Sequence, residues 1–122
     1  MDILKTPDFN NIYQVECFDR EFRALFRNDY SSLKRYELGL RRRLKILDQE
    51  GLKAVDGFQF EKIEDNLYSI RHPQSKHNPR VIYTFLVDEA CNAILLSVFL
   101  EKNSSDYEFG KKKARNRLKA IR

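Results

Sequence analysis

The residues best suited to chemistry in this chain of 122 residues are cations gathered between positions 71 and 102. Arg71, His72, Lys76, His77 and Arg80 fall in a segment without an acid, and Lys102 follows at the end of a later apolar run, just after Glu101. Like charges at such spacing repel, so the segment is favoured where an anion binds or where solvent screens it. Arginine grips two phosphate oxygens at once, histidine exchanges protons near neutrality, and a carboxylate accepts a proton directly. These types suit recognition of a phosphate. A solvated turn is the plainer reading of the same residues, with His72 and His77 as exposed turn positions. There is no glycine-rich phosphate loop, no HExxH and no GxSxG. Cys17 and Cys91 lie far apart without a partner pair or a nearby histidine, which argues against a metal site and for small apolar roles in a reduced, cytoplasmic chain.

The elements that must position these residues are read from periodicity. Asn11 to Phe18 alternates as a short strand, and Asp19 is a plausible N-cap for a helix. Phe22, Leu25 and Phe26, then Leu33, Tyr36, Leu40, Leu44 and Leu47, form helical stripes as far as Gly51, with a break near Asn28 to Ser32. Two antiparallel helices result, and Leu40 and Leu44 should be buried. The second half changes period. Leu67 to His72, Pro79 to Val87 and Ala93 to Glu101 read as an antiparallel meander connected by Pro73 to Asn78 and Asp88 to Asn92. Ala93 to Leu100 is apolar on both faces, the mark of a central strand in which Leu95 and Leu96 are covered. Phe58, Phe60 and Ile63 suggest a further strand. Tyr107 to Ile121 reads as a C-terminal helix with a thin apolar stripe of Ala114, Leu118 and Ile121.

Meander topology brings Arg71, at the end of one strand, beside Arg80, at the start of the next. Lys102 arrives at the same end of the sheet from the third strand. Of the nearby aromatics, Tyr68 and Tyr83 share faces with apolar neighbours and read as core, whereas Tyr107 follows a polar stretch and is free to meet a ligand.

Length and composition frame the rest. The chain is one domain, residues 1–122, with 42% hydrophobic and 34% charged residues and little glycine or proline, which excludes collagen-like and wholly disordered classes. Its formal charge of +5 is unevenly placed: residues 110–122 hold seven cations and no acid, whereas residues 54–109 hold five cations against nine acids. A cationic tail is either a solvated helix face or a polyanion-binding surface with salt-dependent affinity. Residues 1–11 carry Asp2 and Asp8 and no apolar run, predicting no secretory signal, and no 18-residue apolar stretch predicts a membrane span.

The motif order resembles a known family. Tyr68-Ser69-Ile70-Arg71, then Arg80-Val81-Ile82-Tyr83, then an apolar strand closing in Phe99-Leu100-Glu101-Lys102, then Ala114 fifteen residues after Phe99, is similar to the RelE/HigB type of toxin from bacterial type II toxin-antitoxin modules, in its phage-derived branch. There the pattern is Tyr-x-Leu-Arg, Tyr-Arg-Val-x-Tyr, Phe-x-Lys-Lys and a terminal helix at the same distance. Glu101 stands where the pattern usually has its first lysine, and Tyr107 where it often has proline. The resemblance covers roughly Phe58 to Ala120.

It implies an α+β fold of RelE-like, microbial-ribonuclease-like kind: an N-terminal strand, a two-helix hairpin packed on one face of an antiparallel meander, and a basic C-terminal helix. It implies a toxin that cleaves mRNA on the ribosome, without metal or cofactor, by attack of a ribose 2′-hydroxyl on the adjacent phosphate. By that resemblance Arg71, Arg80 and Lys102 attend the phosphate, and Glu101, His72 and His77 are alternative general bases. Tyr107, Lys76, Lys111, Lys112 and Lys113 would contact RNA or the ribosome. The implied partners are mRNA, the ribosome and a cognate antitoxin, with a DNA-binding helix-turn-helix of its own, held in a hetero-oligomer through Arg41 to Lys45 and Lys111 to Arg122. Two other classes fit the same residues: a ParE-like gyrase inhibitor without catalysis, which does not need the cationic cluster, and a basic nucleic-acid-binding module.

Overall fold

The computed structural model describes residues 1–56, 59–72, 76–86 and 89–121. Among them the chain runs through β1 (Ile3–Lys5), β2 (Ile12–Val15), α1 (Phe18–Leu25), α2 (Tyr30–Glu50), a short 3-10 turn (Gly51–Asp56), β3 (Phe60–Glu64), β4 (Leu67–Arg71), β5 (Pro79–Leu86), β6 (Glu89–Leu100) and α3 (Ser104–Ala120). The strands form one sheet in the order β1-β2-β6-β5-β4-β3. Strands β3 to β6 make the antiparallel meander, but β2 lies parallel to β6, so this α+β domain has a mixed sheet. The apolar run from Ala93 explains the position of β6: a strand greasy on both sides is stable only with neighbours at both edges and cover on both faces. Leu95 and Leu96 are accordingly buried, as are Leu40 and Leu44 of α2.

Local chemistry sets the ends of the elements. Asp29 caps α2, its carboxylate accepting from the Ser32 backbone N–H at 3.1 Å and from the Ser32 hydroxyl at 2.7 Å. Gly51 closes α2 at φ 57°, where a side chain would be strained. Asn66, at φ 64°, makes the two-residue turn between β3 and β4. Three expectations need correction. The strand expected over Asn11 to Phe18 ends at Val15, because Cys17 occupies the N-cap of α1 without a side-chain hydrogen bond, and Asp19 falls in the first helical turn, where its charge complements the helix dipole. A short β1 precedes β2. The connection expected over Asp88 to Asn92 is replaced by strand from Glu89, which pairs with Leu86. Phe58, Pro73 to Ser75, Val87, Asp88 and Arg122, and the side chain of Cys91, lie outside the described residues.

The helices divide between the two faces of the sheet. Arg80 pairs with Phe99, whose ring meets Tyr107 and Gly110 of α3, so α3 covers that face. His72, one residue beyond Arg71 and therefore turned the other way, packs on Tyr36 and Gly39 of α2. Gly110 permits the close approach of α3: a Cβ there would lie 2.3 Å from the Phe99 ring, and the Ser97 hydroxyl donates to the Gly110 carbonyl at 3.2 Å. Gly110→Ala should therefore lose about 1–2 kcal/mol net, overpacking outweighing the gain in helix propensity. Urea unfolding at neutral pH checks this, and an unchanged or raised midpoint contradicts it.

Candidate functional site

Strand register builds the site. Arg71 lies opposite Arg80 across β4 and β5, and Glu61 lies opposite Ser69 across β3 and β4. Residues directly opposite, and those two apart on a strand, share a face. Glu61, Ser69, Arg71, Arg80 and Phe99 thus project to the side that α3 covers. Arg80 is 8% exposed, and its two terminal nitrogens each meet a carboxylate. Its Nη1 donates to Glu61 Oε1 at 2.6 Å, and its Nη2 lies 2.7 Å from Glu101 Oε1. The Ser69 hydroxyl also donates to Glu61 Oε1, at 3.2 Å, and Arg71 Nη1 is 3.9 Å from Glu61 Oε2. The guanidinium of Arg80 lies 4.7 Å from the centre of the Tyr107 ring, and Lys111 Nζ is 5.1 Å from the same ring. Burial holds the Tyr107 hydroxyl above its ordinary pKa, against the opposing pull of the Arg80 charge. Further along α3, Lys111 pairs with Glu64 and Glu108, and Arg115 with Glu64.

The repulsion anticipated between Arg71 and Arg80 is relieved by acids that the meander brings in. Glu61 arrives from β3 and Glu101 from just beyond β6, so the two arginines and two glutamates sum to no formal charge. A buried guanidinium requires such partners, since leaving it unpaired away from water costs several kcal/mol. Glu61 and Arg71 keep about a third of their side chains exposed, at 36% and 33%, so a ligand can reach them, whereas Arg80 is screened beneath Tyr107. A carboxylate in this setting can accept a proton, and the Arg71 guanidinium can meet a phosphate oxygen.

Of the residues expected in the site, the structure assembles Arg71, Arg80, Glu101, Tyr107 and Lys111. It does not bring the histidines to them. His72 is buried against α2, its ring 5.4 Å from that of Tyr36, and burial together with the Arg43 charge lowers its pKa to about 4. This corrects its reading as an exposed turn residue. The ring of His77 meets the stacked pair of Phe26 and Tyr36 edge-on, its Nε2 3.6 Å from an Asp29 carboxylate oxygen. Lys102 is exposed, and its backbone N–H donates to the Asp106 carboxylate at 3.0 Å; Lys76 and Lys112 are also exposed, and Lys113 lies over Phe109 on the far side of α3. Tyr83 is buried and stacks on Tyr68, as core residues do. Glu61 and Ser69 had not been anticipated as site residues. The signal for Glu61 was its position in a hairpin: with Phe60 facing inward and a turn at Asp65-Asn66, it must lie on the face of Arg71.

Among the described residues, no group of histidine, cysteine and carboxylate side chains could hold a metal ion, and no helix is long and apolar enough to cross a membrane. Compared with models of known protein families, with curated proteins and with solved structures, the chain finds no match.

Proposed function

We propose that the protein is the toxin of a type II toxin-antitoxin pair, an endoribonuclease of RelE/HigB type that cleaves mRNA on the ribosome in the cytoplasm. The observation that carries the reading is the Glu61–Arg80–Glu101 clamp beneath Tyr107, with Arg71 beside it on an accessible end of the sheet. Support also comes from the order of strand, helix pair, meander and C-terminal helix rich in lysine and arginine, and from the motif spacing of β4, β5 and β6. In this reading Glu61 accepts the proton of a ribose 2′-hydroxyl as O2′ bonds to phosphorus. The P–O5′ bond breaks, and O5′ leaves with a proton drawn from solvent, giving a 2′,3′-cyclic phosphate and a 5′-hydroxyl. Arg71 meets the phosphoryl oxygens, where charge grows in the transition state. Arg80 holds Glu61 and Glu101 in place and lends its positive field. The partner that restrains this activity would be an acidic antitoxin.

The test is brief induction followed by primer extension on a translated message, with end-group analysis of the fragments. Defined cuts bearing 2′,3′-cyclic phosphates are expected. Growth arrest with intact mRNA and stalled gyrase would instead establish the gyrase-inhibiting class, and nucleic-acid binding without arrest or cleavage would establish the simple binding module.

A further inference from the structure

The inner face of α3 serves the clamp, but its outer face carries a feature that the clamp does not use. Phe109 is 66% exposed, the most solvent-accessible phenylalanine among the described core and surface residues. Lys112, Lys113 and Asn116 follow at helical spacings of three, four and seven, so all share its face. Together with Arg117 and Ala120 they line a shallow groove of about 380 Å³ with no carboxylate in its wall. The Arg117 guanidinium is committed elsewhere, donating to Glu21 at 2.7 Å and to the Leu96 carbonyl at 2.9 Å, so it serves as a wall and leaves the lysines as the groove's cations. Lys113 Nζ lies 5.4 Å from the centre of the Phe109 ring.

We infer that this face is a stacking subsite for single-stranded RNA, with one base on the Phe109 ring and the flanking phosphates on Lys112 and Lys113. An aromatic face ringed by cations offers a nucleotide both of the attractions that single-strand binders use, stacking and phosphate neutralisation. Lys112 and Lys113 offer positive charge to a polyanion, while Arg117 is neutralised by Glu21, whose carboxylate also feels the Lys113 charge. Asn116 adds an amide with both donors and an acceptor, suited to the edge of a base. The subsite lies across the helix from Tyr107, and a helix with its side chains is about 10–12 Å thick. A strand that reaches the clamp can therefore extend around α3 to it. The inference rests on the reading of the protein as an RNA-cleaving enzyme, and adds a contact remote from the scissile bond.

The experiment measures binding of the full chain to a short, fluorescently labelled 2′-O-methyl oligoribonucleotide, which cannot be cleaved. Phe109→Ala should weaken binding about tenfold, the effect of one lost stacking contact. Phe109→Trp should retain affinity, whereas Phe109→Leu, which keeps apolar surface without a ring, should not. An oligonucleotide with an abasic site at the stacked position should bind wild type as weakly as the intact one binds Phe109→Ala. The double variant Lys112→Ala, Lys113→Ala should flatten the dependence of log affinity on log salt by about 1.4, two single-strand phosphate contacts. Equal binding by wild type and Phe109→Ala, or full affinity in Phe109→Leu, overturns the inference. So does wild type that binds polyglutamate but not the oligonucleotide, the behaviour of a protein-docking groove. If stacking on Phe109 is seen but no RNA is cleaved, the enzymatic reading fails and the subsite stands. If RNA is cleaved and Phe109 is indifferent, the subsite alone fails.

Discussion

Glu61→Gln is expected to slow RNA cleavage by about 10²- to 10⁴-fold, the usual contribution of a general base. Glutamine keeps an oxygen to accept the Arg80 hydrogen bond, now made at 2.6 Å, so the clamp should persist while its proton affinity is lost. Arg71→Ala should cost about 10²- to 10³-fold, as the loss of one preorganised donor to a developing oxyanion does. Arg80→Ala acts differently. It leaves Glu61 and Glu101 facing one another without their shared cation, so on the order of 3 kcal/mol of stability should go with the activity. Arg80→Lys, which keeps the charge but lacks the planar fork that meets the two carboxylates from separate nitrogens, should recover stability more than rate. Single-turnover cleavage of a ribosome-bound message, with unfolding curves for each variant, separates these cases. Undiminished cleavage by a folded Glu61→Gln protein eliminates Glu61 as the base, and undiminished cleavage by the Arg71→Ala, Arg80→Ala double variant eliminates the site.

Much of the scaffold was legible in local pattern. The apolar run from Ala93 marked the central strand, the stripe from Leu33 to Leu47 marked α2, and Gly51 and the polar residues around Asp29 marked its ends. These signals rest on interactions within a few residues, which the sequence displays directly. The parallel pairing of β2 with β6 is not of this kind: Ile12 and Ala93 meet across the whole intervening chain, and no local residue specifies the partner. Strand β1 is only three residues long and half of Leu4 is exposed, too little for an alternation signal.

The site was half legible for the same reason. Arg71 and Arg80 were placed together by the meander, which is local, but the segment between them shows only cations. The balancing charge comes from Glu61, nineteen positions before Arg80, through a hairpin whose first strand left a weak apolar trace. Charge counted along the chain described a cationic patch, whereas charge counted across the sheet describes a neutral clamp. That difference changes the role of Arg80 from an open phosphate grip to a buried support for two carboxylates.

His72 carries the second large prediction, on stability rather than rate. Its ring is buried on the α2 face, in contact with Tyr36 and near Arg43, whose Nε donates to the Arg71 carbonyl at 2.9 Å. Burial first, and then the Arg43 charge, lowers its pKa in the folded protein from 6.5 to about 4, against a smaller opposing effect of the hydrogen bond with the Pro79 backbone. The unfolded chain therefore takes up the proton first as pH falls. Above pH 6.5 the group contributes no pH dependence; between 6.5 and 4 stability should decline by about 1.4 kcal/mol per pH unit. From pH 6.5 to pH 5 the expected loss is about 2 kcal/mol, some thirtyfold in the folding equilibrium. Glu21 and Asp29 enter only at the acid end of this window. Their carboxyls are held below 4.5 and 3.8 by hydrogen bonds, from Arg117 and from Ser32 respectively, so their contributions disappear at lower pH. Urea unfolding of wild type and His72→Gln at half-unit steps from pH 7.5 to 4.5 should show the wild-type slope and its loss in the variant. Parallel curves for the two proteins would mean that His72 is protonated without cost, and that the α2 face tolerates a charge beside Arg43.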